Sequence, residues 1–286
     1  MRFETTLGRA VRLRGTGLHS GEECEITLHP AEADFGLAFQ VCGQALGEPS
    51  APLLPVHYDL VTPAERCTSL GKGGAGVLTV EHLLAALQGM EVDNALIEVE
   101  GGEVPALDGS AEPFARAIAE AEVVEAADAD GAPVPRRTVV VSEPVTVTSG
   151  KSRITVLPGS ELWLSCWVEY PDIGEQRAEF EVDPDTFRTE IAPARTFALE
   201  CDLEELRAKG LGRGGSLDNA IVVGSQGFSS PPRFDNELAR HKLLDLLGDL
   251  ALLGTRLSAR VVAFRPGHQI NRALVRRLAE VGERAE

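Results

Sequence analysis

Apolar residues recur at helical spacing in TVEHLLAALQGM (79–90), behind a threonine able to cap, and NALIEVE (94–100) then reads as a strand. GSAEPFARAIAEA (109–121) predicts a second helix. The same order returns downstream: a long helix in FDNELARHKLLDLLGDLALLG (234–254), a strand in ARVVAF (259–264) and a helix in NRALVRRLAEV (271–281). Strand-like material opens each half, in CEITLHP (24–30) and RTVVVSEPVTVTSGKSRITVLPG (137–159). Between the halves, VVEAADADGAPVPRRT (123–138) is rich in Ala, Asp and Pro and lacks a sustained apolar period, which predicts a linker. The repeated order suggests a structural duplication, resting on element order and not on identity between the halves. Strands followed by paired helices argue for an α+β fold of two similar domains, 1–132 and 133–286, each a sheet covered on one face by helices. In the second half, ECDLEELRAKGLGRGGSLDNAIVVG (200–224) reads as an insertion: a short helix, a Gly-rich turn and a strand. It is not a phosphate loop, because GLGRGGS lacks the G-x-x-x-x-G-K-S/T pattern and follows a helix instead of preceding one.

Charge narrows the partners. With 44 acidic against 27 basic residues the formal charge is -17, which repels nucleic acid and anionic membranes unless basic residues cluster, and no long Lys/Arg block is present. Five cysteines, odd in number and far apart, indicate neither a disulfide framework nor a thiolate zinc site. The first residues lack the apolar core of a signal peptide, and no run approaches the roughly 18 apolar residues of a membrane span. The expected location is a reducing cytoplasm, with no stable membrane anchor. Aromatics make up only 5%, so the core must be aliphatic.

The candidate chemistry sits in two helices. Residues four apart share a helical face, so His241 and Asp245 can present a nitrogen and an oxygen to one point, which is half a metal site. The same spacing suits an exposed ion pair, but leucines at 243, 244, 246 and 247 argue for burial, where a charge needs a partner or a metal. In the earlier helix Glu81 and His82 are adjacent and diverge by about 100° around the axis. One can therefore bind a metal while the other addresses a water; Glu81 read alone is a first-turn carboxylate favoured by the helix dipole. A His, His, Asp set with a fourth position open to water matches catalytic zinc. His268, in the Gly-containing turn RPGHQIN, reads either as a surface residue or cap or as a catalyst. Asp249, eight residues after His241 on the same face, is placed to orient or charge-stabilise it, which would make His268 a general acid.

Eight ordered segments carry a family resemblance: GTGLHSG (15–21), TVEHLLAAL (79–87), DNALIEV (93–99), EVPALDGSAEPF (103–114), ARTF (194–197), GLGRGGSLDNAIVV (210–223), RFDNELARHKLLDLLGDLALLG (233–254) and PGHQIN (266–271). Together the chain resembles the UDP-3-O-acyl-N-acetylglucosamine deacetylases of lipid A biosynthesis. The resemblance implies zinc-dependent hydrolysis of the N-acetyl group of a UDP-linked, 3-O-acylated glucosamine, releasing acetate. It implies one zinc ion per chain, held by His82, His241 and Asp245, although ferrous iron also suits such ligands. Glu81 would be the general base, His268 the general acid or oxyanion-stabilising cation with Asp249 as its partner, and Thr196 a donor to the oxyanion. Lys242 would contact the substrate near the glycosyl phosphate, with Phe197 at the mouth of an acyl passage and Arg265 as a further substrate contact. The implied fold packs the helix layers of two α+β domains face to face, with the site between them and a β-α-β insertion at about 198–226 lining the passage. A monomer acting on a small-molecule UDP-sugar lipid precursor is the expected state.

The chain departs from the family pattern in places. EYPDIGEQ puts Tyr170 where a His-Pro pair is frequent, Arg265 stands where Lys is common, and the basic residue expected to meet the nucleotide is either Lys151 or Arg153. None of these touches the expected metal ligands. The alternative is a catalytically silent paralogue that binds a nucleotide sugar or acyl ligand; a phosphoesterase would need more carboxylates near 241–249 for a two-metal site.

Overall fold

A computed structural model describes residues 2–42 and 52–285. Among the described residues the α-helices are α1 (Glu81–Gly89), α2 (Glu112–Ala121), the single turn α3 (Pro184–Thr186), α4 (Leu203–Ala208), α5 (Glu237–Leu250) and α6 (His268–Val281). The fold is α+β, and the duplication is written in its strand pairing. In the first half, the strand after α1, Ala95–Glu100, pairs antiparallel with Glu23–Pro30 and parallel with Leu37–Cys42. In the second half the strand after α5, Arg256–Phe264, pairs antiparallel with Ser152–Pro158 and parallel with Trp163–Tyr170. Each flanking strand then carries an antiparallel partner of its own: Val11–Thr16 and Leu54–Pro55 in one sheet, Val145–Ser149 and Gly174–Glu181 in the other.

Alternation along these strands turns one face of each sheet inward. Ile26, Leu28, Ile97 and Val99 are fully buried in the first sheet, as are Ile154, Val156, Leu164 and Val261 in the second. Helices α1 and α5 pack against each other and are buried round most of their circumference, as elements covered on both sides must be. α2 leans on Val11–Thr16, α5 on Trp163–Tyr170 and Gly174–Glu181, and α6 on Val145–Ser149 and Ser152–Pro158. The core is aliphatic, and each fully buried Leu contributes about 2 kcal/mol of burial free energy.

Three expectations need adjustment. The segment expected as a linker is tied down: Val123–Glu125 pairs with Thr5–Leu7, Pro135 bridges Phe3, and Arg136 is buried against Asp93. Thr79 does not cap α1. It takes the left-handed conformation (φ 57°) and its hydroxyl donates to Glu103 Oε1 at 2.7 Å, while Val80 holds the cap position without a side-chain bond. The last helix begins three residues early, so His268 is its first residue and not part of a turn. The insertion matches its reading: Phe197–Leu199 pairs parallel with Ile221–Gly224 across α4, giving a β-α-β unit.

The α1 to α5 contact depends on one glycine. A Cβ on Gly248 would run into the Glu81 backbone carbonyl, so only glycine lets the helices approach this closely. Gly248→Ala is therefore expected to cost about 2 kcal/mol despite alanine's higher helix propensity, lowering Tm by roughly 4–8 °C. Denaturant and thermal unfolding against the parent chain check this.

Candidate active site

The close approach of α1 and α5 sets side chains from both helices at one point. His82 comes from α1; His241 and Asp245, one turn apart, come from α5. Asp245 Oδ1 lies 3.4 Å from His241 Nε2 and 3.6 Å from His82 Nε2, and the imidazoles meet edge to face at 4.9 Å between centroids. Two ligands of a tetrahedral ion at 2.0–2.1 Å would stand about 3.4 Å apart, so this spacing suits a metal. All three ligand atoms lie within 4.8 Å of one another, and all three residues are buried. The tautomer also fits: His241 Nδ1 bonds the Ala194 carbonyl at 3.0 Å, which makes it the donor and leaves Nε2 with its lone pair toward Asp245. Burial pushes His241 down to about 3, so it is neutral near pH 7, the form that ligates.

The loop that supplies Ala194 is anchored by a buried pair. Arg195 meets Glu237 through its side chain at 2.9 and 3.2 Å and through its backbone N–H at 3.0 Å. Glu237 is fully buried at the start of α5, so the pair joins this loop to the ligand helix. Lys242 bonds the other Asp245 oxygen at 2.6 Å and lies over the Phe197 ring at 5.4 Å. Burial would raise the Asp245 carboxyl, but Lys242, His241 and the bond from His82 outweigh it and hold it well below the usual carboxylate range. Burial works against the Lys242 charge as well, and Asp245 keeps its pKa above the usual lysine value.

Beside these three residues stands a carboxylate–imidazole pair. Glu81 diverges from His82 as adjacent helical residues must, and its Oε1 lies 3.6 Å from His268 Nε2. Its Oε2 accepts the Thr68 backbone N–H at 2.9 Å. Burial raises the Glu81 carboxyl, opposed by the neighbouring His268 and His82. His268 Nδ1 donates to Asp249 Oδ2 at 2.8 Å, and that oxygen also accepts from Asn271 Nδ2 at 2.8 Å. Burial would lower the imidazole pKa, but the Asp249 and Glu81 carboxylates outweigh it and lift it to about 9.

These groups open on a cavity of about 750 Å³, which reaches from His82, His241, Asp245, Glu81 and His268 past Thr196, Lys242 and Phe197 to the inner side of the insertion. Leu199, Leu203, Leu206, Leu211 and Val222 form its apolar wall. Tyr170 lies edge-on to Phe197 at 5.4 Å and also lines it. Arg265 does not line the cavity; its guanidinium donates to the Glu169 carbonyl, and its backbone is left-handed (φ 52°). Lys151, in the turn before the strand Ser152–Pro158, and Arg153, on that strand, are exposed and do not line the cavity either.

Residues 4–280 match the family model of UDP-3-O-acyl N-acetylglycosamine deacetylase. The chain belongs to this family. It is 41% identical to the UDP-3-O-acyl-N-acetylglucosamine deacetylase of Thermosynechococcus vestitus, over 97% of this chain and 94% of that protein. The namesake of Trichormus variabilis is 42% identical over 96% of this chain and 97% of its own length. That of Syntrophotalea carbinolica is 37% identical over 97% and 88%. With relatives named as deacetylases over nearly the whole chain, this is an enzyme of the same family.

The sequence left some of the site unassigned. His19, within GTGLHSG, lines the cavity, and its loop is held by Glu103, which accepts the His19 and Ser20 backbone N–H groups at 2.9 and 2.8 Å. A Cβ on Gly17 would strike that carboxylate, which accounts for the glycine. Thr68, Asn271 and Arg66 also sit at the site or its rim, and no spacing signal marked any of them.

His268 is expected to titrate near 9, against 6.5 for an unperturbed imidazole. The stabilisation from its Asp249 and Glu81 contacts is then complete below about 6.5 and lost as pH rises through 9. Asp249→Asn should move the titration down by a unit or more, about 1.4 kcal/mol per unit. Imidazole NMR across pH 5 to 10 reads both values.

Proposed function

We propose that this chain hydrolyses the N-acetyl group of UDP-3-O-acyl-N-acetylglucosamine, giving UDP-3-O-acyl-glucosamine and acetate, in the service of lipid A biosynthesis. The observation that carries the reading is the convergence, in one cavity with an apolar extension, of a His, His, Asp donor set and a buried carboxylate–imidazole pair. His82, His241 and Asp245 would hold zinc, and ferrous iron suits the same donors. When bound, the ion would polarise the acetamide carbonyl and activate water as a Lewis acid.

The remaining work falls to the chain's own groups. Glu81 takes the proton of the attacking water through Oε1, since Oε2 is occupied by the Thr68 N–H. His268, kept protonated by Asp249, gives a proton to the departing amine. Thr196 presents its hydroxyl where the carbonyl oxygen gains charge. Lys242 meets the substrate near the glycosyl phosphate, and Phe197 stands at the mouth of the passage whose leucines receive the acyl chain. Arg265, off the cavity wall, carries no step. The reading places a monomeric enzyme in the cytoplasm. All five cysteines are free, and among the described residues no helix is long and apolar enough to cross a membrane.

The silent-paralogue alternative is disfavoured by the cost of burying Glu81, Asp245 and Asp249 with no chemistry to serve. The test incubates metal-analysed protein with the acylated UDP-N-acetylglucosamine and shorter-chain analogues and measures free amine and acetate. One zinc ion per chain, turnover that favours the long-chain substrate, and loss on chelation with recovery on adding zinc are expected. Glu81→Ala should lower kcat by about 10²–10⁴-fold while retaining metal and fold. A metal-free protein with full activity would sink the proposal.

A further inference from the structure

Thr68 lies in CTSLG (67–71), just before the strand Ser69–Lys72, and is completely buried. Its contacts are unusual for a threonine. Its hydroxyl donates to Asp249 Oδ1 at 2.5 Å and lies 3.2 Å from His268 Nδ1, while its backbone N–H donates to Glu81 Oε2 at 2.9 Å. One residue therefore touches both proton-handling groups. We propose that Thr68 is a positioning residue: its hydroxyl fixes the Asp249 carboxylate so that Oδ2 faces His268 Nδ1, and its amide fixes Glu81 so that Oε1 faces His268 Nε2 and the cavity.

The geometry leaves little else to do this work. Asp249 Oδ2 is shared by His268 and Asn271, so a rotation of the carboxylate about its Cβ–Cγ bond is opposed on the other side by the bond to Thr68. Glu81 is held on its outer oxygen by the Thr68 amide, which is backbone and persists in any substitution. The hydroxyl and the amide thus have separable tasks. Removing the hydroxyl leaves Glu81 in place and frees only the acid side of the pair. The substrate-contacting wall, Lys242, Phe197 and the leucines, is untouched, so substrate binding should survive.

The inference rests on the deacetylase reading above, and the test keeps the two apart. Thr68→Val preserves shape and removes the hydroxyl, Thr68→Ala removes it without crowding, and Thr68→Ser retains it. In metal-loaded enzyme, kcat is expected to fall about 10- to 100-fold in the Val and Ala variants, the range for a lost hydrogen bond to a charged group, with KM within about twofold. Thr68→Ser should stay within about threefold of the parent. In an Asp249→Ala background the Val substitution should cost nothing further, since Thr68 acts through Asp249. The His268 Nδ1–H resonance in ¹⁵N-labelled protein should shift or broaden in the Val and Ala variants and not in Ser, a readout that holds whatever substrate is turned over. An inactive parent chain would count against the deacetylase reading alone. An unshifted resonance, an unchanged kcat, a loss that falls on KM, or a Ser variant as impaired as Val would overturn the role given to Thr68.

Discussion

The contact between α1 and α5 is the constraint on which the site depends. His82 and Glu81 belong to one helix, His241, Asp245 and Asp249 to the other, and neither helix alone carries the full His, His, Asp set or both carboxylates that face His268. Gly248 lets the two backbones meet beside Glu81, at the residue whose carboxylate must reach His268. A wider separation would be felt at once as a lengthened His82 to Asp245 distance, now 3.6 Å. Packing density and the geometry of this side-chain cluster are therefore the same requirement at this interface.

That interface is apolar nearly everywhere, so the charges inside it must be balanced locally. Asp245 is balanced by Lys242, Asp249 by His268 with help from Asn271 and Thr68, and Glu237 by Arg195. The Asp249 and Glu237 pairs also join segments distant in sequence. Arg195 and Glu237 bring the Ala194 carbonyl to His241, and Thr68 brings the strand Ser69–Lys72 to α5 and α6. The buried polar network thus orients groups whose burial the leucines supply.

Much of this was legible in the sequence, for reasons that also mark where reading stops. His241 and Asp245 share a face because of the helical repeat, and a period survives without knowledge of the fold. The divergence of Glu81 from His82 follows from the same 100° per residue. Strand and helix order revealed the duplication because each half repeats the same local patterns. Thr68 had no such signal: a neutral threonine at a strand edge owes its role to three partners from α1, α5 and α6. The pairing of Val123–Glu125 with Thr5–Leu7 was hidden likewise, since antiparallel register is a long-range fact and the Ala, Asp and Pro composition around it resembles a linker. Thr79 failed as a cap because Glu103, distant in sequence, captures its hydroxyl and its backbone is left-handed.

The electrostatic consequence of placing Glu81 and His268 3.6 Å apart reaches beyond either residue. A base must be ionised and an acid protonated in the same molecule, and two isolated groups satisfy both only between their separate pKa values. Burial would narrow that interval from both ends, raising the carboxyl and lowering the imidazole. The attraction of the charged forms reverses the narrowing at the imidazole end only: the carboxylates of Asp249 and Glu81 together lift His268 to about 9, whereas His268 and His82 oppose the effect of burial on Glu81 without cancelling it, so its carboxyl stays raised. A titration at either end is then a property of the pair. The two helices that bring His82, His241 and Asp245 together are the ones that set this interval, because Glu81 stands on one and Asp249 on the other.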